Sequence, residues 1–365
     1  MPASLPSDRD EISVAVIGCG ALTALFYAPA LQLLAKRERI NVAALIDPVP
    51  AQTAAMALRF PGARCGQGLS DMPSHVDLAI IVSPPGYHAE QTIAMLERGV
   101  HVLCEKPMAG TSAECDAMIE AARRADRLLS VGHFKRFFPA TRHIKELVET
   151  RALGAVRSFR FLEGGKFGWP ARSRTFFERR GGQGGVLIDM GAHALDLALW
   201  WFGDPSAVTC EDDAMGGVES NAFVRLSYAN GVRGEIRLSR DWEMPNRYFI
   251  AFERGWVAWD PIDANHVELG WGERYALHAA LHERLPAFGY STLGAPARTR
   301  HQSFAVQVKN VLDAVRGHAA LDVTGEDGRR VIALIEDCYA RSTLIAMPWM
   351  SQAEQNKGDE LRCAQ

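Results

Sequence analysis

Gly18-Cys19-Gly20-Ala21-Leu22-Thr23 follows an apolar run and opens a stretch of helical character. A first glycine there permits a tight turn, and a second lets the backbone approach a pyrophosphate at the helix N-terminus. Thr23 stands where a third glycine is usual. Asp47 closes the next apolar run, near the spacing at which an acid hydrogen-bonds the adenosine ribose hydroxyls. Its charge would repel a 2′-phosphate, and Pro48, Val49 and Pro50 offer no cation, so NAD is favoured over NADP. The plain alternative for Asp47 is the cap of an Asp-Pro turn. Ser83, Pro84 and His88 follow a third apolar run, and Glu105-Lys106-Pro107 a fourth. Both lie at strand ends of the kind where open α/β sheets bind ligands.

Later in the chain, Asp189, His193 and Asp196 recur at spacings that share one helical face, on a segment otherwise almost wholly apolar. Ionisable groups in such surroundings must find partners or serve a function. A neutral imidazole can accept a proton at physiological pH, help worth roughly 10²–10⁴ in rate. A metal held by Asp189, His193 and Asp196 lacks further ligands and is disfavoured. Gly181-Gly182-Gln183-Gly184-Gly185, just before this segment, leaves room for a ligand at its start.

These residues need elements to position them. In the first third, Val14–Ile17, Val42–Ile46, Leu78–Val82, Val100–Cys104 and Leu128–Val131 read as buried strands. Helical stretches Ala51–Arg59, Ala89–Arg98 and Ser112–Arg124 alternate with them, which indicates a doubly wound parallel sheet. After about residue 135, Val156–Glu163, Ala222–Tyr228, Gly234–Leu238, Tyr248–Glu253 and Trp256–Trp259 follow with hairpin turns such as Ala229-Asn230-Gly231. That implies an α+β domain with a mainly antiparallel sheet. Phe304–Arg316 and Gly328–Ser342 read as amphipathic helices, and the polar tail from Gln352 as loose. The expected domains are 1–135, a Rossmann domain, and 136–365, a domain for substrate binding and oligomerisation.

A chain of 365 residues supports two such domains. The net charge of −3 excludes a global basic field for nucleic acid. The seven cysteines form no CxxC pair, which suits a reducing cytoplasm rather than a disulfide framework. The N-terminus lacks a signal-peptide profile, and the most apolar window, 186–202, contains three ionisable groups, so no membrane span is expected.

The run SPPGYHAEQTIAMLERGVHVLCEKPMAG resembles the Gfo/Idh/MocA family of glucose–fructose oxidoreductase and inositol dehydrogenase type. GGVLIDMGAHALDLALWWFG is similar to the second signature of that family, and LDVTGEDGRRVIALIEDCYARS to its C-terminal helix. The likeness covers about residues 12–345. It implies a Rossmann domain followed by one with a large open sheet, a nicotinamide cofactor, and a sugar, cyclitol or related hydroxyl compound as substrate. It places Lys106 against both nicotinamide and reacting hydroxyl, His193 as proton-transfer residue and Asp189 as its substrate-binding companion. It also suggests a cis bond before Pro107, an arginine near the domain crossover at Arg136, and a homodimer or homotetramer paired through the second sheet.

The expected site is therefore Lys106, Asp189 and His193 for catalysis, with Asp196 a supporting carboxylate. Gly18, Gly20, Ala21, Leu22, Asp47, Ser83, Pro84, His88, Glu105 and Lys106 are the expected cofactor contacts. The arginine- and aromatic-rich stretch Lys166–Arg180 reads as either a lid over an acidic substrate or a solvated loop. The expected activity is NAD(P)-dependent hydride transfer at a CH–OH or C=O group. The alternatives on the same fold are a nucleotide-responsive regulator without enzymatic activity, or a glycosidase or epimerase that recycles its NAD.

Overall fold

The computed structural model describes residues 11–170, 184–272, 275–280 and 300–363, which fall into two compact units.

The first unit is built on a six-stranded sheet in the order β3-β2-β1-β4-β5-β6, with every pairing parallel. Its strands are β1 (Ile12–Ile17), β2 (Ile40–Ile46), β3 (Arg64–Gly66), β4 (Leu78–Ile81), β5 (His101–Cys104) and β6 (Leu129–Val131). Val14, Val16, Leu78, Ile80, Val102 and Leu103 are fully buried, as strands covered on both faces require. Four helices connect or precede them: α1 (Ala28–Ala35), α2 (Pro50–Ala57), α3 (His88–Glu97) and α4 (Ser112–Ala125). The three-residue β3 carries no apolar run, which is why periodicity does not announce it.

The second unit holds a nine-stranded mixed sheet and its covering helices. After α5 (Pro139–Thr150) come β7 (Val156–Gly164), α6 (Ala192–Phe202), β8 (Ala207–Asp212), β9 (Asn221–Ser227), β10 (Arg233–Ser239), β11 (Arg247–Phe252), β12 (Gly255–Trp259), β13 (His266–Trp271) and β14 (Tyr275–Ala280). Near the C-terminus of the chain lie α7 (Arg300–Val315), which belongs to the first unit, and then α8 (Gly325–Ala340), β15 (Ser342–Leu344) and α9 (Gln352–Cys363). The strand order is β14-β13-β12-β11-β7-β10-β9-β8-β15; β7–β10 and β8–β15 are parallel and the rest antiparallel. One face is an aromatic core: Phe161 stacks on Tyr248 at 4.1 Å, and Trp201 from α6 meets Phe161 edge-on at 5.8 Å.

Two expectations differ from this architecture. Residues 300–326 belong with the first unit rather than with the segment 136–365. Phe304 of α7 stacks on Phe26 at 5.0 Å, and Gln307 donates to the Tyr27 hydroxyl at 3.1 Å, which ties the returning chain beside α1. The tail from Gln352 is a helix, not a loose segment. Ser351 and Glu354 form its cap: the Ser351 amide donates to Glu354 Oε2 at 2.7 Å, and the Glu354 amide to Ser351 Oγ at 3.4 Å.

Candidate active site

The glycine turn begins at Gly18, whose φ of +95° favours glycine. A Cβ on Gly18 would lie 2.5 Å from the Ser83 nitrogen, so the turn can lie against the β4 loop only without a side chain. Among the described residues, a Cβ at Gly20 would meet nothing within 4 Å, so none of them obstructs the backbone approach that a phosphate needs. The chain is helical from Ala21 and Leu22 onward. Thr23 has a positive role in place of the third glycine. Its hydroxyl donates to the Gly18 carbonyl at 2.6 Å, which closes the turn from inside.

Asp47 turns both carboxylate oxygens to backbone. Oδ2 accepts the Cys19 amide and Oδ1 the Val49 amide, each at 2.8 Å. It is thus the cap of its own turn and the anchor of the glycine loop, which keeps a negative charge beside that loop. Each oxygen retains a second lone pair for a ribose hydroxyl. Burial, with Asp47 beside it, pushes the Cys19 thiol up to about 12, so this cysteine stays protonated.

At the end of β4, the Ser83 hydroxyl donates to Gln91 at 2.6 Å, and Pro84 precedes a short turn over Pro85–Tyr87. His88 is buried with Nε2 at 2.8 Å from the Ser83 carbonyl and Nδ1 at 2.8 Å from that of Pro107. Burial lowers its affinity for a proton, against the pull of those carbonyls. His88 therefore ties the β4 loop to the loop after β5 and is itself occupied.

The Lys106–Pro107 bond is cis, as the resemblance suggested. Glu105 is buried; its carboxylate accepts the Tyr27 hydroxyl at 2.7 Å and the Lys106 amide at 2.9 Å. Burial raises its pKa. Tyr27 in turn accepts from Gln307, so a buried chain running from α7 supports the backbone of Lys106. Sequence reasoning missed Tyr27 and Gln307, because the contact joins residues remote in the chain.

In the second unit, Leu187–Gly191 is π-helical and runs straight into α6, so the stretch is not one regular helix. A π segment inserts an extra residue per turn and is frequent at functional sites. Asp189 forms an ion pair with Arg240, which follows β10 and lies over the Phe167 ring at 4.8 Å. Burial lowers the Arg240 pKa to about 10. The half-buried His193 meets the Phe134 ring edge-on at 5.2 Å, with the His133 ring 6.4 Å away. Asp196 is 1% exposed and is gripped by Arg136, with Nη2 at 2.6 Å and Nε at 3.0 Å from Oδ1. Arg136 also reaches Asp327 at 3.2 Å. Asp196 is thus committed to Arg136, while Asp189 and His193 retain partial exposure.

Arg240, Phe134 and His133 were not foreseen. None of the three leaves a local signal in the sequence. Residues 171–180 of the expected lid lie outside the described residues. Among the described residues, no cluster of three or more His, Cys, Asp or Glu could hold a metal, and no helix is long and apolar enough to cross a membrane.

Comparison with known proteins agrees with this layout. Residues 12–133 match the family model described as "Oxidoreductase family, NAD-binding Rossmann fold", and residues 141–258 match the GFO/IDH/MocA C-terminal domain. The scyllo-inositol 2-dehydrogenase (NADP(+)) of Bacillus subtilis is 26% identical over 348 residues, spanning 90% of this chain and 92% of that protein. The D-glucoside 3-dehydrogenase of Escherichia coli is 31% identical over 202 residues, 53% of this chain and 55% of its own length. A solved levoglucosan dehydrogenase in complex with NADH and levoglucosan superposes with a TM-score of 0.80 at 20% identity, covering 91% of this chain and 97% of that one, a likeness of fold.

Proposed function

We propose how this chain, which belongs to the Gfo/Idh/MocA oxidoreductase family, carries out its reaction: NAD-dependent hydride transfer at a CH–OH or C=O group of a sugar or cyclitol. The observation that carries this reading is the pair of glycines after β1. Gly18 is closed against Ser83 while Gly20 is unobstructed by the described residues, a cradle that fits a dinucleotide pyrophosphate. Gly18, Gly20, Ala21 and Leu22 would hold it, with Asp47 at the ribose, Ser83 and Pro84 alongside, and His88 and Glu105 keeping the loops in place. When bound, the nicotinamide supplies the acceptor or donor of the hydride.

The chain's own residues do the rest. The Lys106 ammonium binds the reacting oxygen and stabilises developing alkoxide charge. The His193 imidazole accepts the hydroxyl proton, or returns it in the reductive direction. Asp189, restrained by Arg240, accepts a hydrogen bond from the substrate. Phe134 against the ring of His193 limits its rotation and excludes water from one side.

The outward face of the nine-stranded sheet carries a Phe249–Trp256 stack at 5.7 Å among ion pairs such as Arg160–Glu235 at 3.0 Å, and suits self-association as a homodimer or homotetramer. Light scattering of wild type against Trp256→Glu tests this. The described cysteines, all free, suit the cytoplasm.

The deciding experiment incubates purified protein with NAD or NADP and a panel of inositols, polyols, sugars and sugar acids. Stoichiometric change in nicotinamide absorbance with product is expected for at least one. Product without net absorbance change overturns a conventional dehydrogenase in favour of cofactor recycling, and binding without product in favour of a regulator.

A further inference from the structure

The segment that carries Asp189 and His193 starts without a side-chain cap of its own: its N-cap residue, Val186, makes no side-chain hydrogen bond. A helix start leaves backbone N–H groups to be satisfied from elsewhere. Here a residue from the loop between β8 and β9 supplies both acceptors. The Val186 amide donates to the Glu219 carbonyl at 3.0 Å, and the Leu187 amide donates to Glu219 Oε1 at 2.9 Å. The same oxygen accepts the Tyr339 hydroxyl of α8 at 2.9 Å. Glu219 is 4% exposed.

Gly185 is shaped to admit this carboxylate. Its φ is +107°, and a Cβ there would lie 2.2 Å from Glu219 Oε1. The acid therefore occupies the space that any side chain at 185 would fill. A buried acid and a bare glycine converge on one turn, directly before Asp189.

We propose that Glu219 is a positioning residue for proton transfer, whose ionised carboxylate fixes the first turn of this segment and, through it, Asp189 and His193. This rests on the assignment of His193 as the proton-transfer group. An ionised acceptor at a helix start makes charge-assisted bonds and meets the positive end of the helix dipole. A neutral carboxyl accepts more weakly and brings a proton that needs its own acceptor.

The groups that face Glu219 set when this change occurs. Burial raises its pKa to about 7; the Leu187 amide and the Tyr339 hydroxyl pull it down, and Asp212 of β8 pushes it up. Asp212 is held by the Ala214 amide at 3.0 Å and by the Ser342 hydroxyl at the start of β15. Tyr339 keeps its proton, since burial and Glu219 raise its pKa well above the usual tyrosine range. The proton that moves near neutrality is thus that of Glu219.

The sign of the stability effect separates positioning from simple support. Because the folded state holds the Glu219 proton more tightly than the unfolded chain, its contribution to stability is lost as pH rises from the ordinary carboxylate range through about 7. At pH 8 the ionised form is kept in spite of its cost to folding. Glu219→Gln should leave the melting temperature at pH 8 unchanged or higher, whereas a mere prop would lower it.

The test follows the Leu187 amide in ¹⁵N-leucine-labelled full-length protein between pH 5.5 and 8.5, without substrate. The wild type should show an inflection near pH 7 that Glu219→Gln abolishes. At pH 8 the variant should also displace the His193 ring signals, identified by their loss in His193→Ala. With a turnover substrate, Glu219→Gln should lower kcat about tenfold at pH 8 and leave the NAD Kd within about twofold, in keeping with the sensitivity of rates to small misplacements. Gly185→Ala should displace the same ring signals. A Leu187 amide without an inflection in the wild type, or His193 signals unmoved in Glu219→Gln, overturns the role of Glu219. Failure of the His193 assignment shows separately, as near-native turnover in His193→Ala.

Discussion

The glycine turn of the first unit and the Asp189–His193 segment of the second are the two surfaces proposed to carry function, and they are secured differently. The first is fastened by its own neighbours in sequence and by an adjacent strand end: Thr23 closes on Gly18, and Asp47 caps Val49 and anchors Cys19. The second is secured from afar. Arg240 follows β10, Phe134 and Arg136 lie in the turn after β6, and Glu219 comes from the loop before β9. A backbone cradle can be encoded locally because the ligand meets main chain. Side chains that must be aimed need partners wherever the fold can deliver them.

This difference decides what the sequence reveals. Gly18, Gly20, Asp47 and the Glu105-Lys106-Pro107 run are legible because type and spacing carry the geometry. The strands β1, β2, β4, β5 and β6 are legible from buried apolar runs, and the hairpin of β9 and β10 from its Asn230-Gly231 turn. The shared helical face of Asp189, His193 and Asp196 is legible only in outline. The π segment at Leu187–Gly191 interrupts the regular period, and Asp196 is taken by Arg136, sixty residues away. Tyr27, Gln307, Arg240 and Glu219 leave no local signal, since each acts through a contact that only the folded chain creates. The final helix is hard to read from sequence because it is mostly polar, and its start is marked only by the Ser351–Glu354 cap.

The contrast can be broken or sharpened by substitution. The largest effect is expected at Lys106, assigned to both cofactor and reacting oxygen. Lys106→Ala should lower kcat by roughly 10²–10⁴ and weaken NAD binding as well, measured by steady-state kinetics and calorimetry. Lys106→Arg should not restore activity, because a planar guanidinium does not reproduce a compact ammonium contact.

Next comes Arg136→Ala, which leaves Asp196 buried without its main cation. Chemical denaturation should show a loss of about 3–5 kcal/mol, the usual cost of removing one member of a buried pair. A loss below about 1 kcal/mol would contradict the distant-anchor account of the second unit.

A smaller effect is expected where the anchoring is local. Asp47→Asn keeps one oxygen for a backbone amide and removes the charge, so it should raise affinity for NADP relative to NAD by about five- to tenfold, order 1 kcal/mol. A native preference for NADP would contradict the role given to Asp47. Smallest is Thr23→Val, which removes the hydroxyl bond to the Gly18 carbonyl and should cost about 1 kcal/mol in stability by thermal or chemical denaturation.

The division of labour between the two surfaces is tested most directly in His193→Ala. NAD affinity and turnover are measured on the same preparation, by calorimetry and by nicotinamide absorbance with a confirmed substrate. The account predicts an NAD Kd within about twofold of wild type and a kcat lower by roughly 10²–10⁴, partly recovered as pH rises and hydroxide takes over from the missing base. A near-native kcat would make His193 a core residue and move proton transfer to Lys106. A collapse of NAD affinity would contradict the assignment of cofactor binding to the first unit.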